Sequence, residues 1–96
     1  MKNYIVSSSQ ISHMKHCIGF DKNKVKGTKH RKMEAYRNYY TTSDNDNELD
    51  NLVEQGLMVK RDFKNGVGDN PQCYFVSEEG FEFLSDLTEI EIFEER

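Results

Sequence analysis

Two stretches decide the fold: LVEQGLMVKRDF at residues 52–63 and CYFVSEEGFEFL at residues 73–84. The first begins with apolar residues at helical spacing, and its Gln-Gly pair is typical of a helix end. Leu57–Phe63 and Cys73–Val76 are rich in strand-forming residues. The chain between them is dense in Gly, Asn and Pro, which favours a turn. The sequence therefore predicts a helix followed by a β-hairpin over about residues 57–76.

Two further helices are predicted outside this hairpin. Ser77 can cap a helix over Glu78–Leu87, where Phe and Leu recur at helical spacing. Near the start of the chain, Ser8 and Ser9 can cap a helix that ends at Gly19.

The remaining segments give a basic loop, a strand and an ambiguous tail. Residues 20–34 carry many lysines without apolar periodicity, which predicts a long, mobile loop. Ala35–Thr42 is rich in Tyr and Thr, which predicts a strand. Thr88–Phe93 alternates polar and apolar residues, so it is either an edge strand or an extension of the preceding helix. We therefore predict a single α+β domain over residues 1–96.

The charge of the chain is divided between its two halves. Residues 1–43 contain nine Lys or Arg and two Asp or Glu, whereas residues 44–96 contain four and fifteen. The net charge of -4 conceals this asymmetry. Because surface charge governs association more than folding, the division bears mainly on the partners of the protein.

Composition argues against a membrane or disulfide-rich protein. No apolar run reaches the roughly 18 to 20 residues needed to cross a bilayer, and the first residues lack the apolar core of a signal peptide. The two cysteines, Cys17 and Cys73, are too few for a disulfide framework. We expect reduced thiols and a cytoplasmic location in a bacterial host cell.

The elements and motifs over Asn47–Leu87 carry a resemblance to a known fold. A helix ending in Gly56-Leu57, a hairpin, and the cap Ser77-Glu78-Glu79-Gly80 resemble the second half of winged-helix proteins of the MarR and PadR kind. The resemblance implies a small winged-helix-like domain with helices, a short antiparallel sheet and the hairpin as its wing. The front half, with HCIGF and YRNYY, is similar to small proteins encoded by phages and prophages of low-GC Gram-positive bacteria.

The segment that reads DNA in those regulators is acidic here. In MarR-like proteins the helix before Gly-Leu enters the major groove. Carboxylates at that position oppose the attraction to phosphate that supplies most DNA affinity. An acidic surface instead suits a basic groove of a partner protein, and Glu78–Glu95 adds negative charge. The residues predicted to form the acidic surface toward a protein partner are Asp44, Asp46, Glu48, Asp50 and Glu54.

Basic residues of the front half are candidates for binding a nucleic acid or another polyanion. Lysine and arginine neutralise phosphates, and tyrosines beside an arginine, such as Tyr36 and Tyr40 near Arg37, can stack on unpaired bases. A solvated loop and pairing with the acidic half of the chain are the alternatives. The predicted contact residues are Lys22, Lys24, Lys26, Lys29, Arg31, Lys32, Arg37 and Tyr39.

Catalytic and metal-binding patterns are weak. His13, His16 and Cys17 have a spacing at which one helix face can share a zinc ion, but Cys17 also fits the apolar face of that helix. The sequence has no CxxC or HExxH motif, no nucleophile elbow and no P-loop. We predict no cofactor, no metal and no enzymatic activity.

These features favour a non-enzymatic, phage-type accessory protein that binds host nucleic-acid machinery, as a regulator or as an inhibitor of a defence nuclease. Its partner would be a host protein of nucleic-acid metabolism or defence, with direct contact to DNA or RNA and a homodimer both left open. The alternative is a winged-helix transcriptional regulator that binds DNA through the basic loop and the wing.

Overall fold

The computed structural model describes residues 4–35, 37–44, 46–63, 68 and 70–94. Within these ranges, three α-helices, one 3₁₀ helix and five strands make up a mixed α+β fold, which confirms the predicted class. Within the described ranges, no helix is both long enough and apolar enough to span a membrane. The elements are α1 (Ser8–Ile18), a 3₁₀ helix (Lys22–Lys24), β1 (Lys32–Ala35), β2 (Tyr40–Thr42), α2 (Asn47–Glu54), β3 (Met58–Asp62), β4 (Gln72–Val76), α3 (Glu78–Thr88) and β5 (Glu91–Glu94).

The first helix begins one residue earlier than its predicted cap. Ser7 Oγ accepts a hydrogen bond from the Gln10 backbone at 3.1 Å, and Gln10 Oε1 accepts one from the Ser7 backbone at 2.9 Å. This reciprocal capping box satisfies two backbone donors that would otherwise lack partners. The predicted cap at Ser8 or Ser9 is therefore wrong, because Gln10 selects Ser7, while the predicted end at Gly19 is confirmed.

A three-stranded antiparallel sheet contains the predicted hairpin. Its strand order is β2-β4-β3, with Met58 opposite Val76 and Asp62 opposite Gln72. The turn residues 64–67 and 69 lie outside the described residues. One helix, α2, lies between β2 and β3 in the described part of the chain. The winged-helix relationship stays a prediction.

The single strand predicted for Ala35–Thr42 is wrong. The structure divides this region into β1 and β2, which belong to different sheets. β1 starts inside the predicted loop and pairs in parallel with β5, with Lys32 opposite Glu91 and Ala35 opposite Glu94. The tail therefore forms a strand, as one of the two interpretations predicted. Local composition cannot reveal a pairing between such distant segments, because it reports only local preference.

The core lies between the helices and the two sheets. Met14, Ile18, Met33, Leu52 and Leu84 are among its buried side chains, so each helix except the 3₁₀ helix contributes to it. Helix α3 packs very closely on the short segment that joins α2 to β3. A Cβ atom at Gly80 would lie 2.2 Å from the Leu57 carbonyl oxygen, so this contact requires glycine.

Two leucines on α3 test this arrangement. Leu84 is fully buried, whereas Leu87 is 49% exposed. We expect Leu84→Ala to reduce the free energy of unfolding by about 2–5 kcal/mol, because it leaves a cavity in the core. Leu87→Ala is the control, with an expected loss below about 1 kcal/mol. Urea denaturation followed by circular dichroism measures both, and equal losses would contradict the burial of Leu84 in the core.

Candidate binding surfaces

Residues 26–32 form a closed basic hairpin. The Lys26 backbone N–H donates to the Lys32 carbonyl at 2.8 Å, and the Lys32 N–H donates back to the Lys26 carbonyl at 2.9 Å. All seven residues are exposed, and five of them are Lys, Arg or His. The segment predicted as a long, mobile loop over residues 20–34 contains the 3₁₀ helix and most of β1, so it is not loop throughout.

The conformation of the basic hairpin depends on Gly27. Its φ is +96°, a value that side chains rarely adopt, and a Cβ atom there would lie 2.5 Å from the His30 carbonyl oxygen. An alanine would therefore distort the hairpin without changing its charge. The sequence concentrates the basic side chains in this segment, and the backbone of the hairpin holds them in a defined geometry.

The eight predicted polyanion-binding residues do not form one site. Lys24, Lys26 and Lys32 line a cleft of about 650 Å³, which we call the basic cleft. Lys22 and Arg31 line a second cleft of about 510 Å³.

Arg37 and Tyr39 lie elsewhere, beside the C-terminal end of α1. Arg37 Nη2 donates to the His16 carbonyl at 2.7 Å. Arg37 and Tyr39 line a cleft of about 230 Å³ together with Tyr40. Lys29 belongs to the exposed basic hairpin. Tyr36, predicted to stack on bases, lies outside the described residues.

Two cations of the hairpin also pair with acidic residues near β5. Arg31 Nη2 lies 3.9 Å from Glu89 Oε2, and Lys32 Nζ lies 3.6 Å from Glu91 Oε2. All four side chains are largely exposed, so each pair contributes at most about 1 kcal/mol and a competing anion can replace it. The predicted alternative, pairing between the two halves of the chain, therefore applies at these two positions.

The predicted acidic surface around α2 is divided between structural and exposed carboxylates. Asp46 Oδ1 caps the helix by accepting from the Glu48 and Leu49 backbones at 3.0 and 3.1 Å. Asp44, Glu48 and Glu54 are exposed. Glu48 and Glu54 are six residues apart, which places them about 120° apart around the helix axis. The structure therefore does not collect these carboxylates on one face.

Asp50, the remaining member, belongs to a hydrogen-bonded network beneath the sheet. Its Oδ1 accepts from the Tyr74 hydroxyl at 2.8 Å and lies 3.0 Å from Lys60 Nζ. Burial opposes ionisation of Asp50, but the hydrogen bonds from Lys60 and Tyr74 outweigh it and lower the pKa of Asp50. Burial also raises the pKa of Tyr74. Asp50 is a structural residue.

The amide of Asn51 is also engaged within the protein. Its Oδ1 accepts from Gln10 Nε2 at 2.9 Å and from Gln55 Nε2 at 2.7 Å. A base-reading asparagine needs this oxygen to accept from adenine. Together with the acidic character of α2, this occupation argues against base recognition by Asn51.

His13, His16 and Cys17 do not converge on a metal position. The two imidazoles pack edge-on around the Tyr40 ring, with centroids at 5.7 and 5.3 Å. Cys17 is fully buried, with its Sγ 3.4 Å from Asn38 Oδ1 and 3.6 Å from the Tyr74 carbonyl oxygen. Burial raises the pKa of Cys17 to about 12, so its nucleophilic form is scarce. Across the described ranges, no three His, Cys, Asp or Glu residues are grouped to hold a metal ion.

An acidic groove lies beside the β1–β5 pair. It has a volume of about 860 Å³, and Phe81, Ile92 and Phe93 supply its apolar surface. The sequence indicated negative charge over Glu78–Glu95 but not this concave arrangement, because Glu34 joins it from β1 through strand pairing. The carboxylates that line the acidic groove are Glu34, Glu78, Glu82 and Glu94.

Comparison of the chain with protein-family models, with curated proteins and with solved structures gives no match.

The Asp50 network predicts a pH-dependent stability. A carboxylate with a lowered pKa stabilises the fold above its unfolded-state pKa of about 3.9, and this contribution is lost as the pH falls through the folded-state value. We expect Asp50→Asn to reduce the free energy of unfolding by about 1 kcal/mol at neutral pH and to match the wild type in strong acid. Urea denaturation at several pH values measures this difference. Glu54→Gln, an exposed change on the same helix, is the control, and a pH-independent effect of Asp50→Asn would contradict the assignment.

The two thiols should differ in reactivity. Cys73 is only half-buried, whereas Cys17 is fully enclosed with the more strongly raised pKa. We expect Ellman's reagent to modify Cys73 in the folded protein and to reach Cys17 only when the chain unfolds. Cys73→Ser and Cys17→Ser isolate each rate, with the urea-unfolded protein as the control. Similar rates in the folded state would show that Cys17 is accessible.

Proposed function

We propose that this protein is a non-enzymatic accessory protein that binds nucleic-acid-containing machinery of a host cell, and that its basic hairpin contacts phosphate. The observation that carries the proposal is the hairpin itself, seven exposed residues with five basic side chains closed by reciprocal backbone hydrogen bonds. A preorganised cationic loop loses less conformational entropy when it binds a phosphate backbone than a flexible one does.

The rest of the surface supports a phosphate-directed contact over base reading. Helix α2 is acidic, and its Asn51 oxygen is occupied by Gln10 and Gln55. Phosphate contacts position a protein on nucleic acid but carry no sequence information. The proposal therefore predicts binding with little sequence preference. The resemblance of the front half to phage-encoded proteins makes a bacterial cell the proposed host.

Contacts between basic side chains and phosphate can be tested through the salt dependence of the binding affinity. Lys29 in the hairpin and Arg61 on β3 are both exposed cations, so Lys29→Ala and Arg61→Ala each remove one positive charge from the surface. We expect Lys29→Ala to weaken binding to a labelled duplex and to reduce the slope of log K against log salt by about 0.9. Arg61→Ala should leave both quantities nearly unchanged. Fluorescence anisotropy between about 50 and 200 mM salt measures them.

Gly27→Ala separates preorganisation from charge in the same assay. It keeps every cation but places a Cβ atom against the His30 carbonyl, so affinity should fall while thermal stability of the core is retained. Binding that is absent or insensitive to salt would overturn the proposal. A loss with Arg61→Ala but not with Lys29→Ala would place the contact on β3 and overturn the role proposed for the basic hairpin.

A further inference from the structure

The outer face of the β1–β5 pair joins surfaces of opposite charge. Phe93 lies at its centre and is 43% exposed. Phe93 and Glu34 line both the acidic groove and the basic cleft, so the two concave surfaces meet at these residues. We call this surface, with the acidic groove and the basic cleft at its two ends, the Phe93 face. An exposed phenylalanine between opposite charges is typical of a contact surface.

The charges on this face are ordered along the strands. Because the pairing is parallel, with Lys32 opposite Glu91 and Glu34 opposite Phe93, both strands run in the same direction. The basic hairpin precedes β1 and therefore lies at the start of the strands. Glu94 lies at their end, and it lines the acidic groove together with Glu78 and Glu82 of α3. Glu89 and Glu91 offset part of the positive charge where the strands begin, but the basic residues of the hairpin outnumber them. The face is therefore net positive where the strands begin and negative where they end.

We propose that the Phe93 face binds a second copy of the same chain. The two copies are related by a two-fold axis that lies in the contact plane and runs perpendicular to the strands. The strands of one copy therefore run opposite to those of the other. This rotation places the acidic groove of each copy against the basic hairpin of the other, with the two Phe93 rings near the axis. An isologous contact requires such a self-complementary patch, and each favourable charge contact then occurs twice.

A second copy fits the acidic groove because the chain itself supplies the matching element. The basic hairpin is short, exposed and held in shape by its backbone hydrogen bonds. The contact consists of two four-residue strands and their flanking clefts, which is small compared with standard interfaces of about 800 Å² per partner. The dimer is therefore weak, and its formation depends on salt. The dimer is independent of the proposed nucleic-acid binding, because all of its contacts lie between two copies of the protein.

Sedimentation equilibrium of the full chain without nucleic acid tests the proposal. We expect a monomer–dimer equilibrium at about 50 mM salt whose dissociation constant increases at least tenfold at about 500 mM salt. A monomer at every concentration up to the millimolar range would overturn the proposal. A dimer whose stability does not change with salt would also overturn it.

Charge exchange provides the sharpest test. Glu82 and Lys26 are exposed and line the two oppositely charged ends of the face. Glu82→Lys alone and Lys26→Glu alone should each weaken self-association at least tenfold. In an equimolar mixture of the two variants, both opposite-charge contacts exist in the heterodimer, so dimerisation should recover. Failure of the mixture to recover, with both variants folded, would overturn the two-fold arrangement.

Phe93→Ala tests the apolar centre, with Val59→Ala as a matched control. The two side chains are 43% and 42% exposed, but Val59 lies on β3 of the other sheet. Phe93→Ala should weaken the dimer at least tenfold, and Val59→Ala should have little effect. The reverse result would place the dimer contact on the three-stranded sheet. If the chain stays monomeric but binds a lysine-rich peptide saturably, the dimer proposal is overturned. The acidic groove would then be assigned to a different, basic protein.

Discussion

The parallel pairing of β1 with β5 is the contact on which the binding surfaces depend. It joins Lys32 to Glu91, two residues separated by 59 positions in the chain. Met33, Ala35 and Ile92 are buried beneath it, and the Ile92 backbone N–H donates to Ser85 Oγ of α3 at 3.0 Å. Apolar burial and this link to α3 hold the pair against the core. Without the pairing, the basic hairpin would lose its fixed end and the acidic groove would lose one wall.

The carboxylates of the back half serve two distinct physical purposes. Asp46 caps α2, and Asp50 accepts from Tyr74 and Lys60, so both stabilise the fold. Others remain on the surface, where Glu78 and Glu82 contribute to the acidic groove. The negative charge of a segment therefore does not measure the charge it offers to a partner, because internal hydrogen bonds engage part of it.

The two proposed contacts use the same cations. Phosphate and the carboxylates of a second copy are both anions that would contact the basic hairpin, so they would compete for it. In the dimer the hairpin is covered, and a nucleic acid would have to displace the partner's carboxylates. Salt weakens both contacts, but counterion release makes the nucleic-acid contact the more sensitive one. Such competition would couple the oligomeric state of the protein to its partner.

The sequence by itself determined the elements that local chemistry controls. Helix ends at Gly19 and Gln55, the hairpin of β3 and β4, and the cap at Ser77 are set by residues within a few positions of each other. It also indicated the basic segment, because charge density is visible in composition. The predicted acidic surface on α2 was less well determined, since helix geometry spreads its residues around the axis.

Only the tertiary structure decided which of these charged segments meet. The division of residues 35–42 between two sheets and the junction of opposite charges at Phe93 follow from the pairing of β1 with β5. That pairing is stabilised by burial shared among β1, β5 and α3. Burial is a property of the assembled chain, so no short stretch of the sequence records it.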